Sequence, residues 1–170
     1  ANSIYDPNLT GTGHQPMGRD QFALIYDHYT VIGSKMTVKY YSQATNTQNV
    51  AMWCGTVLQD TTNTLTSLPA ILEQGNAKGG ILMTSSTSGR QGAKTSQFYS
   101  PRKMFRMGSG SIVGNQRIIG PIGGNPNEDA IFTLLVVQPD GSGTDPNPIT
   151  ALVEIEYIVT FSERKSLASS

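Results

Sequence analysis

The most constraining feature of the chain is its strict two-residue alternation from Ile149 to Phe161. Ala151, Val153, Ile155, Tyr157, Val159 and Phe161 fall on one side, and Glu154, Glu156 and Thr160 on the other. Successive side chains of a β-strand point to opposite faces, so this pattern is that of a strand with one face in a core. Just upstream, Ala130 to Gln138 is a continuous apolar run bounded by turn residues. The ten residues from Pro139 to Pro148, which contain no apolar anchor except proline, read as an exposed loop that accepts insertions. A chain carrying this pair must build a sheet and cover it. Composition agrees: the sequence holds 18 Thr, 16 Ser, 18 Gly and 9 Pro, which favour strands and turns over helices. Only 14% of residues are charged, which excludes a coiled coil, a solvated long helix or a charge-driven disordered chain.

The remaining elements are shorter. Residues 1–18 read as irregular chain, opening on Ala1-Asn2-Ser3 with neither an initiator Met nor an apolar signal core, as in a trimmed chain. Asp20 is placed to cap a helix running through Tyr29, with Phe22, Ile25, Tyr26 and Tyr29 on one face. From Val31 to Tyr41 the period becomes two, with Ile32, Met36, Val38 and Tyr40 on one side and Lys35, Thr37 and Lys39 on the other. Further strands are expected over Val50–Gln59, Ile81–Ser85 and Thr95–Phe105, the last interrupted by Pro101, and another within 111–120. A helical turn is expected around Ala70 to Glu73. Many short strands with long connections predict an all-β fold: one domain over 1–170, a single jelly-roll β-sandwich of two packed antiparallel sheets. No apolar run approaches the ~18 residues that cross a bilayer, and the lone Cys54 excludes an internal disulfide framework.

The formal net charge is zero, with 12 basic and 12 acidic residues, but the distribution is uneven. No acidic residue lies between Glu73 and Glu128, where Lys78, Arg90, Lys94, Arg102, Lys103, Arg106 and Arg117 all fall. Such asymmetry marks either a face for a polyanion or a segment that pairs with the acidic remainder of the fold.

Catalytic constellations are missing. There is no phosphate-binding loop, and Gly11, Gly13 and Gly18 lack the spacing of a dinucleotide motif. Ser109 sits between glycines without the spacing of a nucleophile elbow. His14 and His28 are too few and too far apart for a zinc site, and Glu154 with Glu156 reads as a solvated strand face. Asn8-Leu9-Thr10 matches a glycosylation triplet, a pattern frequent by chance. The chain is therefore expected to have no catalytic residue, no cofactor and no metal.

Residues Gly11-Thr12-Gly13-His14-Gln15-Pro16-Met17-Gly18-Arg19-Asp20-Gln21-Phe22, continuing through Tyr26-Asp27-His28-Tyr29 to Gly33-Ser34-Lys35, resemble the capsid proteins of circular, Rep-encoding single-stranded DNA viruses, circovirus-like proteins. Phe98-Tyr99-Ser100-Pro101-Arg102-Lys103 is similar to the basic, aromatic strand of that family, and the two closing strands match its layout. The resemblance implies a jelly-roll coat that self-assembles into a small T=1 icosahedral shell around circular single-stranded DNA, found in the virion and, during assembly, in the host nucleus. In that family an Arg-rich arm and a first strand precede the matching region; neither lies within these 170 residues.

Two classes of function follow. As a coat, the chain has itself and single-stranded DNA as partners, a host receptor or glycan of unknown nature, and no membrane. Its nucleic-acid contacts are expected at Lys35, Lys39, Arg102, Lys103 and Arg106, the last three beside Phe98, Tyr99 and Phe105, since cations interleaved with aromatics hold phosphates while stacking bases. The alternative is a lectin-like jelly-roll module that binds carbohydrate, with Trp53 and the seven tyrosines as stacking platforms.

Overall fold

The computed structural model describes residues 1–9, 14–42, 51–62, 65–83, 92–139 and 148–166. The strands are β1 (Tyr26–Ser42), β2 (Met52–Gln59), β3 (Lys78–Met83), β4 (Gly92–Tyr99), β5 (Ile119–Pro121), β6 (Ile131–Val137) and β7 (Ile149–Arg164). Three short helices, α1 (Arg19–Ala23), α2 (Leu68–Leu72) and α3 (Pro101–Met104), lie between them. The strands form two antiparallel sheets. In one, β1 pairs with β4, β5 and β7; in the other, the order is β3-β2-β6. The all-β sandwich expected from the sequence is thus what the chain forms. Residues 86–91, residues 140–147 and Gly11 to Gly13 lie outside the described residues, as do Val50 at the start of the expected second strand and Thr84 and Ser85 at the end of the expected third.

The chain divides into two compact units. One comprises Lys35–Gln97 and Ile131–Ile155, and here the two sheets face each other. Met36, Val38 and Tyr40 of β1 meet Met52 and Cys54 of β2 and Ala93 of β4, with Phe132, Leu134 and Val136 of β6 and Ile149 and Ile155 of β7 packed around them. The register accounts for this set. Cys54 lies opposite Val136, Thr56 opposite Leu134 and Leu58 opposite Phe132, so the even positions of β2 and β6 present one face. The odd positions present the other face to a second cluster, in which Trp53, Val57 and Leu135 meet Ile71 of α2. Ser67 holds that helix in place by accepting a hydrogen bond from the amide of Ala70, and Pro69 occupies its first turn, where no amide donor is needed. Every residue of β2 is consequently buried. Two glycines make room for the Trp53 ring on that face. A Cβ on Gly55 would lie 2.2 Å from Trp53 Cη2, and Gly79, at φ +147°, lies against the Cys54 carbonyl. The register of β2 and β3 shifts between Cys54 and Gly55, where this close approach occurs.

The other unit comprises Ala1–Ser34, Phe98–Ala130 and Glu156–Ser170. Ile4, Tyr29, Val31, Tyr99 and Ile118 are buried in it, and Tyr29 lies opposite Gly120 of β5 and fills the space a side chain there would need. The Tyr29 hydroxyl lies 3.1 Å from Ser3 Oγ and donates to the Gly124 carbonyl at 3.0 Å, and Ser3 Oγ donates to Asn125 Oδ1 at 2.6 Å. Asn2 adds two more ties, accepting from the Ala130 amide at 2.9 Å and donating to the Glu128 carbonyl at 2.6 Å. The motif over residues 14–22 acts as a brace. Gln15 donates to the Tyr5 carbonyl at 3.0 Å; Arg19 donates to Gln15 Oε1 and to the Ile122 carbonyl and lies over the Tyr5 ring at 5.3 Å.

Several expectations are corrected. The helix starting near Asp20 ends at Ala23, and residues 26–29 belong to β1, because His28, Tyr29 and Thr30 pair with Pro121, Gly120 and Ile119. What read as a helical face is a contact of another kind: Phe22 and Tyr26 both stack on Phe161, at 4.5 Å and 5.8 Å. The strand expected over Thr95–Phe105 ends at Tyr99, since Pro101 starts α3 instead. Ile32, expected on the buried side of β1 with Met36, is 37% exposed. The strand expected within 111–120 is the three residues of β5, preceded by a 3₁₀ turn at Ser109–Ser111.

Candidate nucleic-acid interface

Ser100-Pro101 sets the position of the expected basic cluster. Proline as the first helical residue fixes φ where an amide is dispensable, so the chain turns out of β4 into α3. The turn is closed by hydrogen bonds from the amides of Lys103 and Met104 to the Ser100 carbonyl, at 3.1 Å and 3.0 Å, and from Phe105 to Pro101 at 2.9 Å. Arg102 and Lys103 lie on this turn, and Arg106 follows it with φ +53°. All three are exposed, and among the described residues none makes an ion pair. They stand on a helical turn rather than on a strand face as expected. The Ser-Pro pair was the signal that distinguishes the two.

The aromatic partners expected beside them are mostly committed elsewhere. Tyr99 is buried, makes an edge contact with Phe105 at 6.5 Å, and has its phenol pushed up by desolvation. Phe105 is covered by the Arg117 guanidinium at 5.6 Å, and Arg117 in turn pairs with Glu128 at 3.3 Å. Phe98 is the exposed ring of the three, at 55%. This site therefore offers cations to a phosphate backbone more than platforms to bases.

Lys35 and Lys39 belong to the other unit. Both are half-buried on the outer face of β1, flanking Thr37, whose hydroxyl lies 3.3 Å from that of Ser96 on β4. That contact puts exposed Lys94 on the same face, a residue the strand pattern of β1 alone did not connect with them. Lys35 has a partner within the chain. Arg90 lies outside the described residues.

No family model, curated protein or solved structure matches the chain.

The side chains considered for chemistry are apart or occupied. Cys54 is fully buried, and burial pushes its thiol up to about 11. His14 is exposed, and His28 Nδ1 lies 3.1 Å from a Glu163 carboxylate oxygen. Among the described residues no group of His, Cys, Asp and Glu is arranged to hold a metal ion. No helix among them is long and apolar enough to cross a membrane. Trp53, the platform required by a carbohydrate-binding reading, is 4% exposed beneath α2.

Proposed function

We propose that the chain is the coat protein of a small virus, a jelly roll that self-assembles into a T=1 icosahedral shell around circular single-stranded DNA. Strand pairing supports the jelly-roll reading. β1 pairs with β7, the last strand in chain order, and β2 with β6, the one before it. Nested pairs of this kind arise when a long antiparallel hairpin rolls up into two Greek keys. The observation that carries the nucleic-acid role is the trio Arg102, Lys103 and Arg106, on and just after the α3 turn, exposed and without ion-pair partners among the described residues. Unpaired cations on a chain of zero net charge are most simply held for an external polyanion. The contacts fall on phosphates and are tolerant of base sequence.

The test is direct. The expressed chain is sedimented and imaged by negative stain, and its nuclease-resistant nucleic acid is quantified for the wild type and for Arg102→Ala/Lys103→Ala/Arg106→Ala. Megadalton shells that lose nucleic acid in the triple variant support the proposal. A small oligomer with no particles refutes the coat, and intact shells of unchanged nucleic-acid content refute the role of the trio.

A further inference from the structure

The outer face of the sheet formed by β4, β1 and β7 carries charges of both signs, and three of them, Lys39, Lys94 and Glu154, make no ion pair among the described residues. In the unit that holds Lys35–Gln97 and Ile131–Ile155, the inward positions of this sheet are fixed by the core: Met36, Val38 and Tyr40 on β1, Ala93 on β4, Ile149 and Ile155 on β7. Alternation then sends Lys39 and Tyr41 of β1 and Lys94 of β4 outward; on β7 residues 150–154 are all exposed, and Leu152 and Glu154 are the ones whose phase, counted from Ile149 and Ile155, matches the outer face. Among the described residues the side chains of Lys39, Lys94 and Glu154 make no ion pair. Leu152 is 57% exposed and Tyr41 44%, so apolar groups lie among the charges.

We infer that this face is a self-complementary contact with a second copy of the chain, in which Glu154 of each copy meets Lys39 and Lys94 of the other. The inference rests on the reading of the chain as self-associating and names the surface involved. A two-fold contact presents the same patch from both sides, so a patch bearing both signs on different strands pairs with itself when the acidic strand of each copy crosses the basic strands of the other. Leu152 and Tyr41 supply the apolar area that such a contact removes from water. A polyanion fits this face less well, because Glu154 repels phosphate and Leu152 offers it nothing. Nucleic acid is in that respect the occupant of the α3 trio, where no carboxylate intervenes.

The experiment is a reciprocal charge swap read by sedimentation velocity over a concentration series. Glu154→Lys alone, and Lys39→Glu/Lys94→Glu alone, each place like charges together and are expected to weaken association about tenfold or more at low salt. The combined variant, with all three charges exchanged, regains association because the patch is again complementary. Far-UV circular dichroism and the urea midpoint, unchanged for these surface positions, separate loss of contact from loss of fold. Association indifferent to the single swaps, or a combined variant that fails to recover, overturns the inference. So does a Glu154→Lys chain that associates normally while retaining more nucleic acid. Discrete dimers that obey the swap but never build shells uphold the contact and refute the coat; shells indifferent to the swap do the reverse. A wild-type monomer overturns both.

Discussion

Gly55 is where the sandwich has least room, and Gly55→Ala tests the packing described above. The added methyl would lie 2.2 Å and 2.6 Å from Trp53 Cη2 and Cζ3 and 2.7 Å from the Lys78 carbonyl. Two of these contacts are with a ring confined among Val57, Ile71 and Leu135, and the third is with backbone, so none has a flexible end to give way. Overpacking of a dense core costs about 1–3 kcal/mol, while replacing glycine by alanine returns about 0.4–1 kcal/mol by restricting the unfolded chain. The net expectation is a loss of about 1–2 kcal/mol, which for a chain of this size lowers Tm by about 2–8 °C. Urea unfolding followed by Trp53 fluorescence and circular dichroism measures it. Repeating the substitution in a Trp53→Leu background isolates the ring contribution, since the Lys78 carbonyl remains while the ring is gone. A coupling energy of about 1 kcal/mol or more is expected between the two sites. A cost below about 0.5 kcal/mol in the wild type, or an equal cost in both backgrounds, would refute the argument that the glycine exists for the ring.

Other outcomes follow from the same structure. Cys54, buried and with its thiol raised to about 11, should be unreactive towards a thiol reagent at pH 8 until the chain unfolds, and the shells of the proposed coat should withstand reductant; rapid native labelling, or dissociation by a thiol, contradicts this. Replacing the α3 trio with alanine should flatten the salt dependence of nucleic-acid binding by about 2 in log–log slope, from about 0.7 per phosphate contact on single strands; an unchanged slope shows the trio is not on the backbone. Tyr29, Tyr40, Tyr99 and Tyr157 all have phenols raised by burial. Above about pH 10 the unfolded chain releases phenolic protons that the folded chain keeps, so stability is full below that pH and falls as pH rises beyond it. Urea midpoints that stay constant from pH 9 to 11 would contradict the burial. Tyr29→Phe, which removes the hydroxyl shared with Ser3 and Gly124, should cost about 1–2 kcal/mol on urea unfolding, and a neutral result would dismiss that network.

Periodicity revealed the sandwich because its strands obey two different rules that both survive in a linear sequence. β7 alternates in burial only from Glu154 to Ile158, since residues 150–154 are all exposed, Ala151 and Val153 among them although their spacing puts them on the core face, and β6 is apolar because both of its faces meet core. The boundary at residues 20–29 reflects competition between local pattern and distant pairing. Phe22, Ile25, Tyr26 and Tyr29 fit a helical stripe, but the backbone of residues 28–30 finds its hydrogen-bond partners about ninety residues away on β5. No local pattern reports that. The α3 turn was legible, in Ser100-Pro101, yet the aromatic and basic alternation around it favoured a strand. The basic residues of the candidate interface were visible by type, but their availability was not. Arg117 is occupied by Phe105 and Glu128 while Arg102, Lys103 and Arg106 make no ion pair among the described residues, a distinction made by the folded neighbours alone.

The double burial of β2 also bears on how the chain is made. Met52–Gln59 contains no charge and no proline, and its eight residues include Trp, Val, Thr and Leu, the make-up of a segment that pairs with any open strand edge. Until β6 has returned from about eighty residues downstream, and α2 has closed over Trp53, that segment is open to a neighbouring nascent chain. Ile71, which anchors α2 to it, thereby acts as a shutter: losing the side chain leaves the strand exposed for longer during synthesis, and insoluble yield rises before any change in the folded chain is felt.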